Sequence, residues 1–267
     1  MVVRRYEVIS GATDSPVILH VPHASTRIDD DARRHILLTD AALRREIDLL
    51  TDAHTDVVAA RATAVARSEP FRFVNLMSRL VVDPERFPDG REEMRAVGMG
   101  AVYTRTAHGD QMRDTGNAHV EHLLATYYRP YAAAMTSTVD ERLAATGRAV
   151  VIDVHSYPSR ALPYELHADL PRPAICLGTD PFHTPPRLLA AARDAFAGFG
   201  DVAENAPFAG CYVPLTHYGR NPAVTAIMIE IRRDTYMREP GGPPTDALDT
   251  LAAALAHLVD AVTSRWR

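Results

Sequence analysis

Short apolar runs alternate along this chain with longer stretches of helical periodicity. Ala149 to Val154 is apolar and β-branched apart from Asp153, the composition of a strand covered on both faces, and it delivers His155 and Ser156 at its carboxyl end. Val17 to Pro22 is a second run of this kind, followed by His23-Ala-Ser-Thr. His20 lies within it and reads as a packed core residue, whereas His23 follows a proline that fixes the backbone and can be aimed by a loop. Further extended segments are expected over Phe71–Met77, Leu80–Asp83, Arg172–Asp180 and Thr225–Asp234, with a brief strand after the glycine-rich turn in Gly98–His108. From Asp40, a candidate N-cap, to about Ala66 the pattern is helical, with Leu43, Ile47, Leu50 and Val57 near one stripe. Helices are also expected over Asn117–Thr146, Pro185–Phe199 and Thr245–Trp266, and Asn205–Thr216 reads as a loop over the site. Strands alternating with helices from end to end predict an α/β protein, a three-layer α/β/α sandwich on a mixed, largely parallel sheet. Ligands bind at the carboxyl edge of such sheets, so His23, Arg86, His155 and Glu230 are expected to gather there.

Composition narrows the function. The chain has 267 residues, no Gly/Ser/Pro-rich linker and 46% hydrophobic content, and reads as one unit with a sizeable core. A net charge of −5 argues against a general nucleic-acid binder, which needs a basic excess. Cys176 and Cys211 lack metal or disulfide spacing and read as small apolar residues. The amino-terminal residues have no apolar core of signal-peptide length, and no uninterrupted span suits a membrane helix, so a cytoplasmic protein without a membrane partner is expected.

Several polar residues carry chemistry. Two histidines and a carboxylate make a three-ligand set for a catalytic zinc with one position left for water, and His23 and His155 are the candidate imidazoles. Thr51-Asp-Ala-His-Thr-Asp places Asp52 and Asp56 four residues apart, on one face if the helix is continuous. Like charges at that spacing repel, so either both are solvated or a cation lies between them. Glu230 stands alone in an apolar strand and must be paired, protonated or at a cavity mouth; a glutamate not bound to the metal would serve as general base. Arg79 and Arg86, beside Asp83 and Glu85, form either an exposed salt-bridge cluster or a guanidinium clamp for a substrate carboxylate. The Gly98-Met-Gly turn has neither a P-loop lysine nor the full dinucleotide fingerprint, and His119 with His122 reads as a solvated helix face. Together these residues point to metal-assisted hydrolysis of an amide or ester in a small acidic molecule.

Along nearly its whole length the sequence resembles the N-formylglutamate amidohydrolase family. The resemblance runs through Val21-Pro-His-Ala-Ser, Thr51-Asp-Ala-His-Thr-Asp, Ser78-Arg-Leu-Val-Val-Asp-Pro-Glu-Arg, Gly98-Met-Gly-Ala-Val-Tyr-Thr, Ile152-Asp-Val-His-Ser-Tyr-Pro and Ile227-Met-Ile-Glu-Ile-Arg-Arg. More distantly, three of these look like the zinc-carboxypeptidase segments that carry the last zinc histidine, the carboxylate-binding arginine and the general-base glutamate. The resemblance implies a phosphorylase/hydrolase-like fold over residues 1–267, with His155 as metal ligand, Arg86 as anchor, Arg79 and Tyr103 as further substrate contacts, and Glu230 as base. It also implies zinc as cofactor, N-formylglutamate or another N-acyl acidic amino acid as substrate, and a place in histidine catabolism. Two departures matter. Thr26 stands where carboxypeptidases carry a glutamate ligand three residues after the first histidine, so the acidic ligand is expected from elsewhere, with Asp52 the preferred candidate and Asp56 the alternative. Ala53 stands where relatives often carry tryptophan. A carboxypeptidase-like or broader N-acyl amino-acid hydrolase, or a non-catalytic binder of acidic ligands, are the alternative readings.

Overall fold

Seven strands form one mixed sheet in the order β1-β3-β2-β4-β7-β5-β6 in the computed structural model, which describes residues 4–114 and 116–264. They are β1 (Tyr6–Ile9), β2 (Val17–Val21), β3 (Phe71–Asn75), β4 (Ala149–Tyr157), β5 (Ile175–Gly178), β6 (Val202–Glu204) and β7 (Val224–Arg232). The central strands β3, β2, β4 and β7 run parallel, while β1 is antiparallel to β3 and β5 antiparallel to β7. The helices are α1 (Asp30–Arg33), α2 (Asp40–Leu50), α3 (Thr55–Val65), α4 (Asn117–Leu123), α5 (Arg129–Thr146), α6 (Pro186–Phe196) and α7 (Ala247–Ser264).

Alternation along the buried strands explains the layers. Val150, Ile152 and Val154 of β4, Val17, Leu19 and Val21 of β2, and Ile227, Ile229 and Ile231 of β7 share one face, packed beneath α3, α6 and α7 in a continuous apolar cluster. On the opposite face Ile18, Ala149, Val151, Val224 and Ala226 meet Tyr131, Met135 and Val139 of α5. Toward the carboxyl ends of the strands this second face turns polar, with His20, Asp153, His155 and Glu230. The three-layer sandwich predicted from the sequence is the fold observed.

Several elements differ from the pattern-based expectation. The stretch from Asp40 to Ala66 is two helices, and Thr39 rather than Asp40 caps the first, accepting from the Ala42 amide. Leu80–Asp83 passes through a turn, not a strand. Gly98 is left-handed (φ 81°) and ends a short 3₁₀ helix over Glu93–Val97, and the expected strand beyond it reduces to one bridge between Arg105 and Gln111. The long helix from Asn117 contains a π-helical turn over Leu124–Tyr128. Edge strands β1 and β6 are short and were not anticipated. α7 is long and apolar enough by length and composition to cross a membrane, contrary to expectation, but 56% of it is buried in the protein. Trp266, expected in this helix, lies outside the described residues.

Candidate functional site

The polar end of the sheet opens into a cavity of about 520 Å³ whose walls include His23, Asp83, Glu85, Arg86, His155 and Glu230. Parallel pairing sets His155 of β4 directly beside Glu230 of β7, and His20 of β2 beside Asp153. His23 enters from the loop after β2. Its Nε2 lies 2.9 Å from Asp83 Oδ1, and its Nδ1 lies 3.3 Å from His155 Nδ1.

Asp52 reaches the same point because the helical stretch is interrupted there. α2 stops at Leu50, and His54 adopts a left-handed conformation (φ 67°) before α3 begins. The Asp52 amide donates to His23 O at 3.0 Å, and Thr55 Oγ1 donates to Asp52 O at 2.8 Å, which fixes the carboxylate in the gap. Asp52 Oδ2 lies 3.0 Å from His155 Nδ1 and 3.7 Å from His23 Nδ1. Its other oxygen accepts from Arg233 Nη2 at 3.0 Å and faces Arg79 Nη1 at 3.6 Å. Burial alone would raise this carboxyl, but hydrogen bonds from His155 and His23, and the charge of Arg79, outweigh it and hold the group well below the usual carboxylate range. Asp56 projects from α3 and is exposed, so of the two aspartates only Asp52 belongs to the cluster.

The donor set fits a tetrahedral ion. Two nitrogens bound at zinc–imidazole distances and tetrahedral angles stand about 3.3 Å apart, the separation of the two Nδ1 atoms here. Proton placement favours the same assignment. His23 Nε2 faces Asp83, and His155 Nε2 lies 3.1 Å from both Glu85 Oε2 and Asp153 Oδ1, off-line for a hydrogen bond to either. With the protons on the two Nε2 atoms, beside these carboxylates, neutral rings would point both Nδ1 lone pairs, with an Asp52 oxygen, at one spot. Without a cation these lone pairs repel, unless protons take its place. Burial disfavours a charged His155, yet Asp153 and Glu85 lift its pKa well above the ordinary value; burial and Arg79 oppose a charged His23, while Asp83 and Asp52 carry it upward. Two other groupings, His20/Glu85/Asp153 and His23/Asp83/Glu85, are equally close. In all three a ring nitrogen lies at hydrogen-bond distance from a carboxylate, 2.8 Å in His20, 2.9 Å in His23 and 3.0 Å in His155, but among the three only His23/Asp52/His155 brings two imidazoles together.

Glu230 is buried, and its Oε2 has no hydrogen-bond partner. Burial pushes its pKa up to about 7, against the lowering effect of His155. Arg79 donates to Asp83 Oδ2 at 2.8 Å and to Tyr103 Oη at 3.0 Å, and Tyr103 itself donates to Asp83 Oδ2 at 2.5 Å. Tyr103, expected as a substrate contact, is 1% exposed and stands behind Asp83, outside the cavity lining. Arg86 is looser, 3.8 Å from Asp83 and 3.5 Å from Glu92, with 28% of its side chain exposed in the cavity wall. Ala53 does not line the cavity. Pattern reading overlooked Asp153 and Arg233 as site residues and treated Asp83 and Glu85 only as salt-bridge partners. The one available signal was a charged residue inside or ending an otherwise apolar strand.

Fold and site together define an α/β/α protein with a buried histidine–carboxylate centre at the carboxyl edge of its sheet. The sequence profile of the N-formylglutamate amidohydrolase family matches residues 15–237, and the chain belongs to that family of hydrolases. A crystal structure of N-formylglutamate amidohydrolase from Ralstonia eutropha JMP134 is similar over 98% of both chains, with a TM-score of 0.80 and 22% identity. A gene product of Agrobacterium tumefaciens is similar over 99% of this chain and 97% of its own, with a TM-score of 0.67 and 19% identity. At these identities the likeness is one of fold. Among curated proteins no sequence matches the chain.

Proposed function

We propose that this chain hydrolyses the N-formyl, or similarly small N-acyl, amide of an acidic amino acid, with N-formylglutamate as first substrate, releasing formate and the free amino acid. The observation that carries this reading is the convergence of His23 Nδ1, His155 Nδ1 and Asp52 Oδ2 one strand away from the buried, unpartnered Glu230. Those three atoms would hold a zinc ion, which when bound supplies Lewis acidity that polarises an amide carbonyl and lowers the pKa of water toward ~7. Glu230 takes the proton from the attacking water and returns it to the departing nitrogen, a role that a carboxyl titrating near neutrality fits. Arg86 binds the substrate carboxylate, and Arg79, tied to Asp83 and Tyr103, supports the wall beside His23. The reading includes a small acidic molecule as the binding partner, a cytoplasmic setting, and no nucleic-acid or membrane partner; the net charge of −5 is in keeping with this.

One observation favours a broader N-acyl amino-acid hydrolase. At interior packing density N-formylglutamate needs roughly 200 Å³, and the cavity is larger, with Phe87, Leu166, Phe208 and Leu215 among its walls. Elemental analysis combined with formate release across N-formyl amino acids tests both readings. Stoichiometric zinc and preferential turnover of formylglutamate are expected; a chain that neither carries nor takes up metal and releases no formate would be a binding protein instead. Arg86→Lys is expected to lower kcat/KM on N-formylglutamate by about tenfold or more, with zinc content unchanged. Equal turnover of formylglutamate and its fully amidated analogue by the unmodified enzyme would remove the carboxylate clamp.

A further inference from the structure

Behind the cavity wall a chain of buried polar groups leads from helix α5 to His155. Tyr131 of α5, 3% exposed, places its hydroxyl 2.5 Å from His20 Nε2. His20, fully buried in β2, places Nδ1 2.8 Å from Asp153 Oδ1, and the same oxygen lies 3.1 Å from His155 Nε2. Neither Tyr131 nor His20 lines the cavity. An aspartate among packed aromatic rings would be costly without donors, and this one has two: His20 Nδ1–H and the Tyr212 amide, 3.3 Å from Oδ2. The ring of Tyr212 lies against His20 at 4.6 Å between centroids, which fixes the imidazole plane.

Proton positions follow from the acceptors. A carboxylate only accepts, so His20 carries its proton on Nδ1. Its Nε2 is then a lone pair, which the Tyr131 hydroxyl fills by donating. Asp153, held in that aim, sits with Glu85 3.1 Å from His155 Nε2; two carboxylate oxygens there compete with the one of Asp52, 3.0 Å from Nδ1, and their combined charge favours the proton on Nε2 and the lone pair on Nδ1.

We infer that Tyr131 and His20 are positioning residues that act through Asp153 to fix the tautomer of His155, and so its capacity to bind a metal through Nδ1. The inference rests on the metal-site reading above, but its first consequence is visible in the metal-free chain. The test is long-range proton–nitrogen NMR on metal-free protein labelled at histidine nitrogens, with the His155 signals assigned by their loss in His155→Gln, alongside zinc titration against a chromophoric chelator. In the unmodified chain His155 should show a protonated Nε2 and a proton-free Nδ1 at a pH where the ring is neutral. Tyr131→Phe and His20→Leu should mix the two tautomers and weaken zinc binding by roughly 10- to 100-fold, the usual cost of removing an outer partner of a metal ligand. His20→Asn, whose amide nitrogen can stand in for Nδ1–H toward Asp153, should restore most of both. A purely structural role would lower melting temperature but leave the nitrogen spectrum of the folded variants unchanged, and that result would overturn the inference. If His20→Leu does not fold, Tyr131→Phe and His20→Asn decide it. If the unmodified chain binds no zinc, the metal reading fails, and the nitrogen spectra still decide whether Tyr131 and His20 set the tautomer.

Discussion

In the proposed reaction Glu230 is the residue at which function and stability conflict most directly. Its folded pKa of about 7 exceeds that of an exposed glutamate, so the folded chain binds this proton more tightly than the unfolded chain. The associated stability is fully present below the unfolded value and is lost as pH rises through about 7. Glu230→Gln is therefore expected to lower turnover by roughly 100- to 10,000-fold while stabilising the metal-free chain at pH 8 by on the order of 1–3 kcal/mol; urea unfolding at acidic and alkaline pH reads the second effect. The aspartates give a contrast of another kind. Asp52→Asn removes an anionic donor and leaves Arg233 and Arg79 facing a neutral amide, so metal affinity should fall by more than the roughly 10- to 100-fold typical of an outer partner, with stability also reduced. Asp56→Asn, on an exposed face, should change metal content not at all and stability by no more than about 0.5 kcal/mol. His23, His155 and Glu230 were legible because each stands at or near the end of an apolar run. Asp153, Asp83 and Arg233 were not, because their contacts join residues far apart in sequence: Arg233 Nη2 to Asp52 spans 181 positions.

At the level of elements, the useful irregularity is the gap between α2 and α3. The pattern across Asp40–Ala66 reads as helical, with Leu43, Ile47, Leu50 and Val57 near one stripe, and a hydrophobic stripe carries no mark of a local change in backbone direction. The break depends on His54, a non-glycine residue held at φ 67° with Nε2 2.9 Å from Gly242 O. His54→Gly relieves about 1 kcal/mol of backbone strain and gives up a hydrogen bond of similar worth, so stability should move by less than ~1 kcal/mol. His54→Val loses the bond and worsens the strain, and should cost about 2 kcal/mol; unfolding midpoints of the two variants check this. The main strands and the helices away from this gap were legible because their apolar periods are long. The short edge strands β1 and β6 offer too few residues for a period of two to stand out from a loop.

Across the whole molecule, one face of the sheet is apolar from end to end, while the other is apolar only where α5 covers it. α7, membrane-like in composition, belongs to the fully apolar side and packs against α3 and α6. That asymmetry was readable in part, as polar residues at strand ends, but the depth of the cavity was not, since its walls come from loops whose course no pattern records. The two imidazole nitrogens facing each other at 3.3 Å have a thermodynamic consequence for the molecule as a whole. With pKa values raised in both rings, the metal-free chain stores protons where a cation would sit, and each ring that binds through Nδ1 must surrender one. In the proposed reading zinc uptake is then an acid-releasing reaction: its apparent heat should vary with the ionisation enthalpy of the buffer, and its affinity should climb with pH until both rings are neutral. Titration calorimetry in two buffers at one pH measures the number of protons released. Because bound metal stabilises only the folded chain, the thermal stability of a preparation and its metal content should fall together on acidification, so that the pH at which the protein is purified sets how much of it is loaded.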